Sequence, residues 1–184
     1  MDDVVFVTGN QDKADYVSRH LGRPIEHVKL DLGELQSLHL QEIVSHKVRQ
    51  AYEKIKRPVM VEDVSLECVG LDGLPGPFVK WFLETLTAEG ICRLLDGKSR
   101  SATVRCMVGY FDGKEEKYFL GASSGSIAEH PYTGIGYGID PIFIHEGFDM
   151  PRSGMSADDH DRTYFEFKPF DRLKEYLETK TSRT

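Results

Sequence analysis

The stretch VVFVTGNQDKADYVSRHLG, Val4 to Gly22, changes its period halfway along. Its first four residues are apolar and read as a short buried strand that runs into a turn at Thr8-Gly9-Asn10. From Gln11 onward the apolar positions are Ala14, Val17 and Leu21, three and four apart, which puts them on one face of a helix. Gly22 follows as the stop. A strand delivered straight into a helix is the unit from which α/β proteins are built, so this stretch sets the expectation for the rest.

The remaining chain extends the pattern. IEHVKLDL (25–32) reads as a second strand, and QEIVSHKVRQAYEKIK (41–56) as the clearest helix, with Val44, Val48, Ala51 and Ile55 in one stripe. PVMVEDVSLECVGL (58–71) reads as a strand begun by Pro58 and ended at LDGLPGP. WFLETLTAEGICRLLDG (81–97) is expected to be helical, broken or turned near Gly90. SATVRCMVGYF (101–111) and EEKYFLGASSGSIAEH (115–130) suggest two antiparallel strands joined around Asp112-Gly113. PYTGIGYGIDPIF (131–143) reads as a loop and FDRLKEYLETK (170–180) as a final amphipathic helix. MSADDHDRTYFEF (155–167), just ahead of that helix, reads as an acidic turn at Asp158 and Asp159, a metal site, or part of a ligand pocket. Internal repeats and linkers are absent, so the expectation is one α/β domain over residues 1–184, built on a mixed sheet.

Composition bounds the function. The 184 residues suffice for one sizeable core, and 40% hydrophobic with 29% charged residues is ordinary for a soluble globular protein. A formal charge of -7 supplies no field to attract a polyphosphate backbone, so nucleic acid is not an expected partner. It leaves room for a phosphorylated small molecule held by a few lysines. The three cysteines are scattered without CxxC spacing, which favours a reducing compartment and a packing role. Met1 is followed by two aspartates and then VVFV, which is not a secretory signal, and no run reaches the length of a membrane span. The expected location is the cytoplasm.

Four constellations could carry chemistry. TGNQDK (8–13) sits where a helix begins, and unpaired N–H groups and the positive end of the helix dipole suit a phosphate there. Its plain reading is a turn with Asn10 as helix N-cap. Glu62 and Asp63 end an apolar run, where hard carboxylate oxygens suit Mg²⁺ and, through it, substrate phosphates. Their plain reading is that neighbours on a strand point to opposite faces, so one is simply solvated. Glu34 is a further carboxylate the fold could bring near. LPGPFVKWF (74–82) makes a stiff turn before Lys80, and Lys47 lies at the edge of its helix stripe, where a snorkelling lysine is equally ordinary. GIGYGIDPIF (134–143) lets a backbone approach a planar ligand, with Tyr137 able to stack and Asp140 able to bind or to cap a turn. The seven histidines show no zinc-ligand spacing.

Taken in order, TGNxxK, EDxxL after a buried strand, GLPGPxxKWF and GxGxDPxF resemble the inosine triphosphate pyrophosphatase family over nearly the whole chain. The resemblance implies an elongated, two-lobed α/β fold around a mixed sheet with a cleft between the lobes, a homodimer, and Mg²⁺ as cofactor. It implies hydrolysis of non-standard purine nucleoside triphosphates to a monophosphate and pyrophosphate, a role in sanitising the nucleotide pool. By position, Thr8, Gly9, Asn10 and Lys13 would cradle the triphosphate, and Lys47 and Lys80 would help neutralise it. Glu34 and Asp63 would hold the metal, Asp63 would also prepare the attacking water, and Glu62 would support them. Tyr137 would stack on the base, beside Gly138, Ile139 and Asp140.

Two departures bear on this. Val64 stands where the family usually has serine or threonine. His160-Asp161 and Tyr164-Phe165-Glu166 stand at the family's Lys-Asn and Ser-His-Arg positions, whose side chains donate to the base. An ionised carboxylate accepts and does not donate. Asp161 or Glu166 would therefore accept from an exocyclic amino group, favouring amino-bearing bases or relaxing selection. The alternative function is a nucleotide-binding or regulatory member without turnover.

Overall fold

A computed structural model describes residues 4–181. They form five α-helices and a seven-stranded mixed sheet. The elements are β1 (Val5–Val7), α1 (Gln11–Leu21), β2 (His27–Val28), α2 (Leu40–Ile55), β3 (Val59–Cys68), β4 (Pro75–Gly76) and α3 (Val79–Leu94). They continue with β5 (Ser101–Phe111), β6 (Glu116–Ile127), β7 (Phe143–His145), α4 (Ala157–Phe167) and α5 (Phe170–Thr181). The strand order is β2-β1-β3-β5-β6-β7, with β4 paired to β3. β1 runs parallel to β2 and β3, while β4 and β7 pair antiparallel with β3 and β6. The mixed sheet expected from the alternating elements is thus present.

The residues group into two compact units. The first takes its described residues from Met1–Asp63, Cys106–Leu120 and Lys168–Thr184; the second is Val64–Arg105 and Gly121–Phe167. In the first unit, the stripe Leu40, Val44, Val48 and Ala51 of α2 packs on Val5, Val7, Val59, Val61 and Met107. Val44, Val48 and Ala51 are fully buried, and each valine removed from water contributes roughly 1.5–3 kcal/mol. The helix reaches the sheet closely because Gly109 carries no side chain: a Cβ there would lie 2.5 Å from Cγ1 of Val44. The other face of β1 and β3, carrying Phe6 and Met60, alternates away from this cluster. α1 and α5 pack together through Tyr16, His20 and Phe170, with His20 and Phe170 ring centroids 5.6 Å apart.

Three expectations about elements are corrected. The second strand is only His27–Val28, because β1 is three residues long and its register ends at Val7 against Val28. Beyond that point the chain after β1 has already turned into α1, so residues 29–32 pair with no strand among the described residues. In α3 the break lies at Thr87 (φ 64, ψ 172), not at Gly90. Gly90 is buried, and a Cβ on it would lie 2.8 Å from Cβ of Leu86, so close packing accounts for it. The acidic stretch ahead of the last helix is itself helical, α4, rather than a turn.

Cys68, Cys92 and Cys106 are all buried free thiols, as their packing role requires. Burial pushes the Cys68 and Cys92 thiols up to about 11 and that of Cys106 up to about 12. Among the described residues no helix is long and apolar enough to cross a membrane.

Candidate active site

The site in the first unit starts at the junction that opens the sequence. Thr8 Oγ1 accepts from the Asn10 N–H at 3.1 Å, and Asn10 Oδ1 accepts from the Lys13 N–H at 3.3 Å. Asn10 is thus the N-cap of α1, and the plain reading of this turn holds. The capped turn also fixes where Lys13 projects, one turn into the helix. Gly9 is exposed between them, with the stem of Lys29 alongside.

From this helix Lys13 Nζ reaches Oε1 of Glu62 at 3.2 Å. Lys168, which directly follows α4, reaches the same oxygen at 2.6 Å. The Glu62 side chain is 1% exposed. Burial alone would raise its pKa, but the two ammonium groups outweigh burial and hold the carboxyl at about 2. Asp63 alternates to the opposite face of β3, the α2 face, where Oδ2 meets Lys47 Nζ at 2.6 Å. Lys47 also lies 3.7 Å from Oε1 of Glu34, so Glu34 and Asp63 converge on a single cation. The two neighbouring carboxylates are therefore on opposite faces as the strand period demands, yet neither is simply solvated. Lys47 is an ion-pair partner rather than a snorkelling surface lysine.

This geometry tests the divalent cation. Among the described residues no group of three or more His, Cys, Asp and Glu is arranged to hold a metal. Two carboxylates already drawn to one positive charge are nonetheless a donor set that suits Mg²⁺. That ion is commonly held by one or two carboxylates, with waters and substrate phosphates filling the octahedron. The residues fit the ion.

In the second unit the loop before β7 builds a buried polar centre on Asp140, which is 1% exposed. Its Oδ2 accepts from the Tyr137 N–H at 3.0 Å and from the Tyr164 hydroxyl at 3.4 Å, and lies 3.2 Å from Nε2 of His160. Arg152 Nε lies 3.2 Å from Oδ1, and its guanidinium stacks 3.7 Å from the Tyr164 ring centre. Gly136 (φ 87) is required here twice over: its φ suits glycine, and a Cβ would lie 2.2 Å from Oδ2 of Asp140. Gly138 makes a second left-handed step, and the Ile139 carbonyl accepts from Ile142 and Phe143 to close the turn. Burial, with the charge of Asp140 beside it, holds the Tyr164 hydroxyl well above its ordinary range.

The structure thus joins Tyr137, Asp140 and His160 but separates them from Phe165 and Glu166. One helical period explains this: His160, Thr163, Tyr164 and Phe167 share the inward side of α4, while Phe165 and Glu166 face outward. The Glu166 carboxylate is bound by Arg162 at 3.2 Å and lies 3.5 Å from His145. Val64 is half-buried on β3, and Lys80 is exposed with Nζ 5.0 Å over the Trp81 ring. Arg152 and Lys168 take part in these clusters although no sequence motif marks them, and Tyr164, which stands at the family's serine position, joins the Asp140 centre. The signal for α4 was present in Ser156-Ala-Asp-Asp159: Ser156 Oγ accepts from the Asp159 N–H and donates to its carboxylate, a helix-start pattern.

Fold and clusters define an α/β protein in which a capped helix start carries Lys13 to Glu62, while Lys47 draws Asp63 and Glu34 together. Comparison with known proteins narrows this. A model described as the Ham1 family matches residues 4–176. The chain is 36% identical to a dITP/XTP pyrophosphatase of Methanopyrus kandleri, covering 94% of this chain and 95% of that one. It is also 36% identical to an inosine triphosphate pyrophosphatase of Batrachochytrium dendrobatidis, covering 98% and 97%. Among solved structures, a HAM1 protein from Coxiella burnetii superposes with a TM-score of 0.80 at 19% identity, covering 100% of both chains. The Staphylococcus aureus Ham1 protein gives 0.76 at 22%, covering 96% of this chain and 98% of that one. The chain belongs to the Ham1 family.

Proposed function

We propose that this protein hydrolyses non-standard purine nucleoside triphosphates, ITP, XTP and their deoxy forms, to the monophosphate and pyrophosphate. The observation that carries the reading is the convergence of Lys13 and Lys168 on Glu62 and of Lys47 on Asp63 and Glu34, beside the capped start of α1. Its context is membership in a family whose near full-length relatives bear pyrophosphatase names.

In this mechanism Thr8, Gly9, Asn10 and the first N–H groups of α1 receive phosphate oxygens, and Lys13, Lys47 and Lys80 balance their charge. Glu34 and Asp63 would hold a divalent cation, Mg²⁺, which when bound draws charge from phosphate oxygens. Asp63 takes the proton of the attacking water. The water oxygen bonds to the α-phosphorus, the bond to the bridging oxygen breaks, and pyrophosphate leaves with that electron pair. Glu62, held at about 2, is too weak a base to take the proton near neutral pH. In the second unit Tyr137, with Gly138 and Ile139, Asp140 and His160 are assigned to the base, along with Val64. The same reading places the protein in the cytoplasm as a homodimer, in nucleotide-pool sanitation.

The test is pyrophosphate release from a panel of nucleoside triphosphates, with and without Mg²⁺. ITP, XTP and dITP are expected to be cleaved in a metal-dependent way, and Asp63→Asn to lose about a hundredfold or more in kcat. Adding ATP and GTP checks the expectation that an acid and an aromatic at Glu166 and Phe165 relax base choice. Release from no nucleotide would overturn the reading.

A further inference from the structure

Arg152 is buried, with 2% of its side chain exposed, and the mechanism above gives it no part. A guanidinium taken out of water is costly unless it is paired and hydrogen-bonded. Here it joins two pieces of chain. Its Nε lies 3.2 Å from Oδ1 of Asp140, in the loop before β7. Its Nη2 donates to the His160 carbonyl of α4 at 3.2 Å, and its plane stacks on Tyr164 of the same helix. The next residue, Ser153, is clipped to the loop by backbone bonds: its N–H donates to the Asp140 carbonyl and its carbonyl accepts from Ile135, each at 3.0 Å. An apolar side chain could fill the same space, and exchanging a buried ion pair for apolar groups is often neutral for stability. What an apolar side chain cannot do is fix the direction of a carboxylate.

With Oδ1 turned to Arg152, Oδ2 is the oxygen that meets the Tyr137 N–H, the Tyr164 hydroxyl and Nε2 of His160. Asp140, Arg152 and Tyr164 are all buried. Tyr137 is half-buried and the His160 side chain is 14% exposed, so these two are the members of the centre that come to the surface. A carboxylate accepts and does not donate, so the His160 nitrogen facing it carries the proton. In the neutral imidazole that leaves Nδ1 as an acceptor. The direction of one buried carboxylate therefore sets both the seat of the Tyr137 backbone and the hydrogen-bonding sense of His160.

We propose that Arg152 is a positioning residue for base recognition: by holding Oδ1 of Asp140 and the His160 carbonyl together, it sets the Tyr137 loop and the His160 ring in the places from which they meet the base. This rests on the pyrophosphatase reading, which assigns Tyr137 and His160 to the base. Arg152 itself touches no ligand, and Asp140 acts through the two groups it holds. The effect of Arg152 belongs to binding of the base and not to cleavage of the phosphate bond.

The experiment compares Arg152→Met and Arg152→Lys with wild type by pyrophosphate release from ITP. Arg152→Met is expected to raise KM by about 5- to 50-fold with kcat changed by less than about threefold. Arg152→Lys keeps the charge but not the planar fork that spans two acceptors, and should recover part of the loss. Inorganic tripolyphosphate presents phosphates without a base. As an inhibitor of ITP cleavage it should act on wild type and both variants within about threefold, which a general loosening of the fold would not allow. If Arg152→Met does not fold, the double variant Arg152→Met with Asp140→Asn removes the unpaired buried charge and should show the same rise in KM. A KM for ITP equal to that of wild type overturns the proposal. So does a loss confined to kcat, or tripolyphosphate inhibition weakened as much as ITP binding. If tripolyphosphate inhibits no form, the split between KM and kcat decides alone. If wild type cleaves no nucleotide, the pyrophosphatase reading fails first and this one with it; wild-type turnover with an indifferent Arg152 sinks this one alone.

Discussion

Glu62 and Asp63 are neighbours in sequence with opposite surroundings, and that difference is measurable by acid. The Glu62 carboxyl is held at about 2 against an ordinary 4.5, so the folded state binds its proton less readily than the unfolded one. A depressed carboxyl pKa gives stability that is present above the unfolded value and is lost as pH falls through the folded one. Denaturant unfolding followed from pH 5 to pH 2 should therefore lose stability on the order of 3 kcal/mol through this group. Glu62→Gln should flatten that part of the curve; an unchanged slope would contradict the assignment. The same residues show what sequence makes legible. Thr8 to Lys13 and Glu62-Asp63 stand in short contiguous runs, at points where an apolar strand ends, and can be read locally. Lys168 cannot: it is a single lysine between FEF and PF, and its partner lies 106 residues away. Nothing local distinguishes it from a lysine on the surface.

At the scale of elements, α2 and α4 make contrasting cases. The α2 stripe has four apolar residues at helical spacing and was plain in the sequence. What its pattern does not contain is the glycine it rests on, which lies on β5. Gly109→Ala places a methyl group 2.5 Å from Val44 and should destabilise the protein by about 1–3 kcal/mol, read as a lowered urea midpoint with unchanged slope. α4 was obscured by its own composition. Asp158, Asp159 and Asp161 crowd its start and suggest a turn, while its buried residues, Thr163, Tyr164 and Phe167, are few and partly polar. The helix depends on its first turn, where Ser156 caps Asp159. Ser156→Ala should cost about 1 kcal/mol, and Ser156→Asp, which keeps an acceptor, much less. The second strand failed for the reverse reason. IEHVKLDL has strand-like residues throughout, but a ladder is only as long as its partner, and β1 is three residues.

For the whole molecule, alternation of strands and helices announced the mixed sheet, whereas a division into two parts was implied by the family resemblance and by nothing in composition. Three of the four boundaries between the two units, Asp63/Val64, Arg105/Cys106 and Leu120/Gly121, fall inside the continuous runs of β3, β5 and β6, and the fourth, Phe167/Lys168, falls at the end of α4. A linker would have shown itself by composition, whereas a strand that serves both units reads as one strand. We propose that residues 1–184 unfold as a single domain, since neither unit is one continuous piece of chain. Unfolding curves from fluorescence at Trp81 and from far-ultraviolet dichroism should coincide; two separated transitions would refute this. The three buried thiols then acquire a practical meaning. With their pKa values at about 11 and 12 and no exposure, Cys68, Cys92 and Cys106 present no thiolate to an alkylating reagent in the native state. Maleimide uptake should be silent until the chain opens and then involve all three sites. The protein thus carries its own clock for opening, and a single cysteine placed on its surface could be labelled against a dark background without removing any native one.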